Sequence, residues 1–163
     1  MIRPVTLEDA AAVCGIYNYY VENTTATFDE DAVPVPAMES RIKAVTAKYP
    51  WLVYEEAGEV LGYAYIHPWH ERSAYRFTAE DSIYLMHGKT GLGMGTALLA
   101  RLLEETWKQD VHALMSAITV PNDASTALHE KFGFKQAGCF AQVGYKFGRR
   151  LDVGYWELIR LCR

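Results

Sequence analysis

The fold of this chain is decided by one stretch, Ser82-Ile83-Tyr84-Leu85-Met86-His87-Gly88-Lys89-Thr90-Gly91-Leu92-Gly93-Met94-Gly95-Thr96-Ala97-Leu98-Leu99. Its first four residues suit a strand, since β-branched, aromatic and aliphatic side chains dominate. The three alternate glycines that follow predict a turn with an unhindered backbone. From Met94 to Trp107 apolar residues recur every three to four positions, which predicts an amphipathic helix.

The order strand, glycine-rich turn and helix predicts an anion site. The first N–H groups of a helix have no intrahelical partner, and the helix dipole adds partial positive charge there. Phosphate groups bind at such helix starts. A turn that only permits close packing is the alternative, because isolated glycine patterns are frequent.

Two familiar phosphate motifs do not fit the spacing of this turn. Gly88-Lys89-Thr90 resembles the end of a P-loop, but Ile83 stands where that motif needs its first glycine. A dinucleotide fingerprint would need a glycine where Thr96 or Leu98 stands. Neither a P-loop nor a dinucleotide fold is therefore indicated.

The pattern that remains, Thr90-x-x-Gly93-x-Gly95 between a strand and a helix, resembles the pyrophosphate loop of the GNAT acetyltransferases. In that family Gln or Arg usually stands where this chain has Thr90. The resemblance implies a mixed α/β fold with a twisted central sheet flanked by helices, and acetyl-coenzyme A (acetyl-CoA) as cosubstrate. It implies coenzyme contacts from Ile83, Tyr84, Leu85, Thr90, Gly91, Leu92, Gly93, Met94, Gly95, Thr96 and Asn122.

Length and composition limit the class of protein. The 163 residues suit one domain, residues 1–163, with a self-sufficient core. A net charge of −4 argues against a nucleic-acid surface and favours small partners. Three cysteines without a Cys-x-x-Cys pair suggest neither a disulfide framework nor a thiolate zinc site. The apolar core of a signal peptide and a run of about 18 apolar residues are both missing, so we expect a cytoplasmic protein without a membrane span.

The elements on either side of the glycine turn complete the expected topology. Two helices are predicted before residue 50, the first with Thr6 as its N-cap, and a β-hairpin over residues 51–66. Residues 67–75 are too irregular for a strand and predict a loop at the site. Residues 113–120 predict a buried strand parallel to the one before the turn, with a right-handed crossover. A short helix bearing His129 and two final strands within 135–161 follow.

Two predicted loops carry candidates for substrate binding. Arg72 and Tyr75 could hold a carboxylate, because a guanidinium offers two parallel donors and a phenol one more. An exposed surface arginine is the alternative. Phe28 stands alone in a polar segment and either lines a pocket or covers the core. His67 and His70 are separated by a proline and have no third ligand nearby, so we predict no metal site.

Glu80 and His129 are the candidates for catalysis. Glu80 lies about 17 Å before the end of its strand, comparable with the reach from the pyrophosphate to the thiol of coenzyme A. A carboxylate there could deprotonate an ammonium group, and His129 could give the leaving thiolate a proton or a positive neighbour. A backbone N–H near Tyr84 or Leu85 would stabilise the oxyanion. Taken singly, Glu80 and His129 are more simply explained as surface residues.

A closer resemblance covers nearly the whole chain. Leu128-His129-Glu130-Lys131-Phe132-Gly133-Phe134 resembles the second GNAT signature, in which Tyr is common at the histidine position. Arg72-x-Ala74-Tyr75, Thr78-x-Glu80 and Asp152-Val153-Gly154-x-Trp156 resemble the phosphinothricin N-acetyltransferase family. That resemblance implies catalysis by Glu80 and His129, and a substrate pocket near a homodimer interface. It also implies contacts to the amino-acid substrate from Phe28, Arg72 and Tyr75.

The sequence thus predicts acetyl transfer from acetyl-CoA to the α-amino group of a small amino acid or glutamate analogue. Phosphinothricin and methionine sulfoximine are the expected examples, and detoxification the expected role. Two alternatives stay open at this point. The chain could acetylate the amino terminus of a peptide or protein, or it could be a non-catalytic acetyl-CoA sensor.

Overall fold

The computed structural model describes residues 1–161, so Cys162, one of the three cysteines, lies outside the described residues. Seven strands form one sheet, with four α-helices packed on its two faces. The strands are β1 Ile2–Pro4, β2 Trp51–Glu56, β3 Glu59–Pro68, β4 Thr78–Leu85, β5 Ala113–Val120, β6 Lys135–Lys146 and β7 Arg149–Ile159. The helices are α1 Ala10–Asn23, α2 Val35–Thr46, α3 Met94–Thr106 and α4 Asp123–Lys131.

The sheet is mixed, with strand order β1-β2-β3-β4-β5-β7-β6. Strands β4 and β5 are parallel and are joined through α3, as the glycine-turn stretch predicts. Every other neighbouring pair is antiparallel. This architecture confirms the mixed α/β fold class expected from the sequence.

The parallel pair β4 and β5 is joined over a short length only. Their register covers Thr78 to Glu80 on β4 and Ala113 to Met115 on β5. Beyond this point β4 remains paired with β3, and β5 with β7, to the ends of the strands. The two strands therefore part after Glu80, and their facing backbone edges border a gap in the sheet.

The sheet separates two hydrophobic clusters. On one face, Leu98 of α3 and Ile66 of β3 belong to the same buried cluster. On the other face, Val13 of α1 packs in a cluster with Tyr63 of β3. Because side chains alternate along a strand, neighbouring residues of β3 and β4 point to different clusters. We call these the α3 face and the α1 face.

Two local predictions differ from the structure. His67 and Pro68, expected in a loop, extend β3, because they pair with Glu80 and Ala79 of β4. The first helix does not start directly after Thr6: a short 3-10 turn precedes α1.

No helix within residues 1–161 combines the length and the apolar character that crossing a membrane requires.

Candidate active site

A cavity of about 900 Å³ lies where β4 and β5 part. Both strands line it, together with the start of α3, the α4 helix and part of the segment between α1 and α2. Most of the residues singled out from the sequence meet here. They are Phe28, Glu80, Ile83, Tyr84, Leu85, Thr90, Gly91, Gly93, Gly95, Thr96, Asn122 and His129.

The glycine turn forms one end of the cavity. Gly91 and Gly93 have φ values of +78° and +82°, a left-handed conformation that side chains disfavour. A Cβ at either position would meet no atom within 4 Å, so backbone conformation rather than space requires glycine. The first helical hydrogen bond runs from Ala97 to the Gly93 carbonyl. The N–H groups just before Ala97 consequently have no intrahelical acceptor. Leu92 is exposed and Met94 is buried, and neither lines the cavity.

Glu80 lies at the point where β4 leaves β5. It faces the α1 side of the sheet, since it alternates with Asp81 and lies in register with His67 of β3. Burial, followed by the negative charge of Asp81, raises the pKa of the Glu80 carboxyl to about 7. A carboxylate with this pKa can exchange a proton near neutral pH, as a general base must.

His129 is buried on α4 with both ring nitrogens in contact with polar groups. Its Nδ1 lies 2.7 Å from the carbonyl oxygen of Ser125. Its Nε2 lies 2.9 Å from Oδ2 of Asp81 and 3.0 Å from Oγ of Ser116. Burial by itself lowers the pKa of the imidazole, but the hydrogen bond and charge of Asp81 reverse this and raise the pKa overall.

The two catalytic candidates lie on opposite faces of the sheet. Asp81, the partner of His129, is in register with Ile66 on the α3 face, whereas Glu80 points to the α1 face. Both Glu80 and His129 nevertheless line the same cavity, because the gap between β4 and β5 connects the two faces. A ligand that passes through the gap can therefore meet both groups.

The segment that carries Phe28 is held against β6. The Phe28 ring packs so closely on Gly144 that a Cβ there would overlap it. Lys146 is buried and donates from Nζ to the carbonyl oxygen of Thr27 at 2.8 Å. The Tyr17 side chain of α1 also holds this segment, since its hydroxyl group lies 2.7 Å from that of Thr27. Phe28 is thereby fixed at the cavity although its side chain is only half-buried.

Arg72 and Tyr75 do not line the cavity. Arg72 directly precedes the short 3-10 turn Ser73–Tyr75 between β3 and β4, Tyr75 is the last residue of that turn, and both are exposed. The Tyr75 ring packs edge-on against Trp69, with ring centroids 5.3 Å apart. The structure of one chain therefore does not bring them to Glu80, and their contact with substrate stays a prediction. Among residues 1–161 no group of three or more His, Cys, Asp or Glu is placed to hold a metal ion.

Sequence reasoning missed three residues around the site. Asp81 follows Glu80 directly, and two consecutive carboxylates in a strand must face opposite sides, which is a usable signal. Ser116 is a buried polar residue in the mainly apolar strand β5 and so indicates a buried polar partner. Lys146, in the partly exposed strand β6, has no comparable signal.

Residues 2–154 match the acetyltransferase (GNAT) domain family. The chain belongs to this GNAT family. It is 38% identical over 156 residues to a phosphinothricin N-acetyltransferase of Streptomyces viridochromogenes, with 96% of this chain and 85% of the relative covered. It is 38% identical over 159 residues to the L-methionine sulfoximine/L-methionine sulfone acetyltransferase of Pseudomonas aeruginosa, with 96% and 92% covered.

A solved GNAT-like structure matches over nearly the same length. It is an acetyltransferase from Salmonella typhimurium with its cofactor acetyl-CoA, and it superposes with a TM-score of 0.96 at 36% identity. The match covers 98% of this GNAT chain and 92% of that one. The expected GNAT fold and N-acetyltransferase class are thereby confirmed.

Proposed function

We propose that this enzyme transfers the acetyl group of acetyl-CoA to the α-amino group of a small amino acid or glutamate analogue. Phosphinothricin and methionine sulfoximine are the substrates to test first, since relatives named for them align over 96% of the chain. The observation that carries the proposal is Glu80. Its carboxyl, with a pKa of about 7, lies in a cavity whose other end is the phosphate-binding turn.

The cavity residues fit the parts of a coenzyme A thioester. The free N–H groups at the start of α3, beside Gly95 and Thr96, suit the pyrophosphate. Thr90 is shorter than the Gln or Arg usual there, so backbone groups carry more of this contact. The unpaired edges of β4 and β5 can hydrogen-bond an extended amide-containing arm, as strands do when a peptide is added. When bound, acetyl-CoA supplies an activated acetyl thioester.

The proposed reaction needs one base, one oxyanion donor and one group for the leaving thiolate. Glu80 accepts a proton from the substrate ammonium, directly or through water, and frees the nitrogen lone pair. The nitrogen bonds to the acetyl carbon, and the carbon–sulfur bond then breaks with its electron pair on sulfur. The acetylated nitrogen loses its second proton, and the thiolate takes up a proton, which gives the amide and the free thiol of coenzyme A. A backbone N–H of Tyr84 or Leu85 stabilises the oxyanion, an effect of about 2.7–4 kcal/mol. His129 provides positive charge for the thiolate.

Phe28, Arg72 and Tyr75 are proposed to hold the amino-acid substrate. Phe28 contributes an apolar wall of the cavity. For a carboxylate-bearing substrate, we expect Arg72→Ala to raise KM, whereas kcat should change less. Amines that lack a carboxylate serve as the control. An equal loss on those amines would contradict a carboxylate contact.

We further propose a homodimer formed through β6. This edge strand exposes Phe140, Val143 and Tyr145, and the turn after it exposes Phe147, each more than half accessible. Val143 also lines the cavity, and its neighbour Gly144 contacts Phe28, so a partner on β6 would border the substrate side. Sedimentation of Tyr145→Glu should show monomers, while the exposed control Gln136→Glu should remain dimeric. A monomeric parent protein would overturn this assignment.

The activity is tested by free-thiol release from acetyl-CoA across a panel of amines. The panel contains phosphinothricin, methionine sulfoximine, methionine sulfone, short peptides and amines without a carboxylate. Saturation with one glutamate analogue, and loss of that signal in Glu80→Gln, supports the proposal. Saturation with peptides alone would favour amino-terminal acetylation. Silence with every amine, while calorimetry shows that acetyl-CoA still binds, would favour a sensor.

A further inference from the structure

The hydrogen-bond partners of the His129 ring indicate where its protons lie. Nδ1 lies 2.7 Å from the Ser125 carbonyl oxygen, which can only accept, so Nδ1 carries a hydrogen. Nε2 lies 2.9 Å from Oδ2 of Asp81. An ionised carboxylate also only accepts, so Nε2 carries a hydrogen as well. With Asp81 ionised, the ring is an imidazolium ion.

Asp81 is the acidic partner of the His129 ring. Its side chain is completely buried, and within residues 1–161 its only ion-pair partner is His129. Its other oxygen, Oδ1, has no hydrogen-bond partner in the described part of the chain. A buried carboxylate is stable as an ion only beside a positive charge, and the imidazolium supplies that charge. The two groups therefore support each other's ionisation.

Within residues 1–161, the remaining neighbours of the ring do not offer a competing charge. From β5 the Ser116 hydroxyl lies 3.0 Å from Nε2, and Phe134 meets the ring edge-on. On α4, Glu130 accepts a hydrogen bond from the indole of Trp156. Glu80 points to the other face of β4. Asp81 is thus the carboxylate that determines the state of the ring.

We propose that Asp81 is a positioning residue that holds His129 at the cavity as a fixed imidazolium ion. His129 then acts as a permanent positive charge and not as the base that deprotonates the amine. The protonation state is argued from the hydrogen-bond partners of the ring and from its pairing with Asp81, whereas its catalytic consequence rests on the proposed function. The base is left to Glu80, on the opposite face, and the positive charge lies on the side of the gap that receives the thiolate.

The first test is nitrogen NMR of the unmutated protein. The His129 resonances are assigned by their loss in His129→Asn among the five histidines. We expect both ring nitrogens to carry protons at pH 7 and pH 8, where an ordinary histidine is mostly neutral. One unprotonated ring nitrogen at pH 7 would overturn the proposal. This measurement does not depend on activity. Absence of thiol release with every amine would therefore refute the proposed function only.

The second test is Asp81→Asn, with the exposed Glu104→Gln as a control that also removes one negative charge. In Asp81→Asn we expect a lower His129 pKa and a kcat about 10- to 100-fold lower, the size of one lost charge-assisted hydrogen bond. The alkaline limb of the kcat profile should move to lower pH, while the acidic limb set by Glu80 stays. An alkaline limb that does not move would contradict the role of Asp81. Should this variant not fold, the NMR result decides.

Discussion

Glu80 and Asp81 are adjacent carboxylates in one strand, yet they have opposite surroundings. Glu80 faces the α1 side, where burial without a positive partner raises its pKa to about 7. Asp81 faces the α3 side and hydrogen-bonds the buried ring of His129. A single step along a strand moves a side chain to the other face. We therefore propose different roles for two like residues, Glu80 as a proton acceptor and Asp81 as the anchor of a cation, as different environments separate the roles of paired carboxylates.

The largest effect is expected when the Glu80 carboxylate is removed. In Glu80→Gln we expect kcat to fall by about 10²- to 10⁴-fold, since the base is lost. The affinity for acetyl-CoA should stay the same, because the glycine turn is untouched. Steady-state thiol release and calorimetry measure the two quantities, and Glu59→Gln at the start of β3 is the control. An unchanged kcat would remove Glu80 from the mechanism.

The pH profile should show the Glu80 carboxyl directly. With an active-site pKa of about 7, kcat should rise with pH through neutrality and fall by about tenfold per unit in the acid range. The residual activity of Glu80→Gln should not show this fall in the acid range. Thiol release at saturating substrate between pH 5 and pH 9 measures both profiles. A parent profile that is flat between pH 6 and pH 8 would show that another group is the base.

Phe28→Ala tests the α1 side of the cavity alone. We expect KM for the amine to rise by about tenfold, as expected for loss of a partly buried aromatic contact. KM for acetyl-CoA should not change. Phe77→Ala removes a ring of similar exposure that does not line the cavity, and it should leave both constants unchanged. Equal increases in KM for the amine and in KM for acetyl-CoA would mean that the amine side and the coenzyme side of the cavity are not separate.

Gly93→Ala tests the coenzyme side. Forcing alanine into a φ of +82° should cost about 1–2 kcal/mol of unfolding free energy and weaken acetyl-CoA binding. Gly95→Ala is the matched control for the conformational cost, because that residue lies inside α3 and its Cβ would meet Leu128 at an ordinary contact distance. Chemical denaturation without ligand should separate the two variants. Equal stabilities would show that the turn tolerates a side chain.

The smallest expected effect is on stability. The folded pKa of Glu80 lies above its usual value of 4.5, so the protonated carboxyl favours folding. This contribution is fully present below about pH 4.5 and is lost as pH rises through about 7. Glu80→Gln should therefore melt a few degrees above the parent at pH 8, with the difference vanishing near pH 4. Thermal melts between pH 4 and pH 8 measure whether the difference in Tm has this sign.

Much of the fold follows from local sequence. The strand Ala113–Val120 has the bounds that its apolar run predicts, and α3 begins at the expected Met94. The hairpin of β2 and β3 also appears as expected, with Ala57 and Gly58 at its turn in the left-handed conformation. These features depend on propensity, periodicity and turn chemistry over short distances. For the same reason the glycine turn before α3 could be predicted from spacing alone, whereas its role in binding phosphate stays a prediction.

The arrangement of the site depends on contacts between distant parts of the chain. His129 meets Asp81 across 48 positions, and Lys146 meets the Thr27 carbonyl across 119. The gap between β4 and β5 arises because each strand keeps its outer partner while the inner pairing ends at Glu80. Sequence by itself determined the elements, the glycine turn and the candidate groups. Only the tertiary structure decided which face each group occupies and which partner sets its charge, because burial and pairing arise from long-range packing.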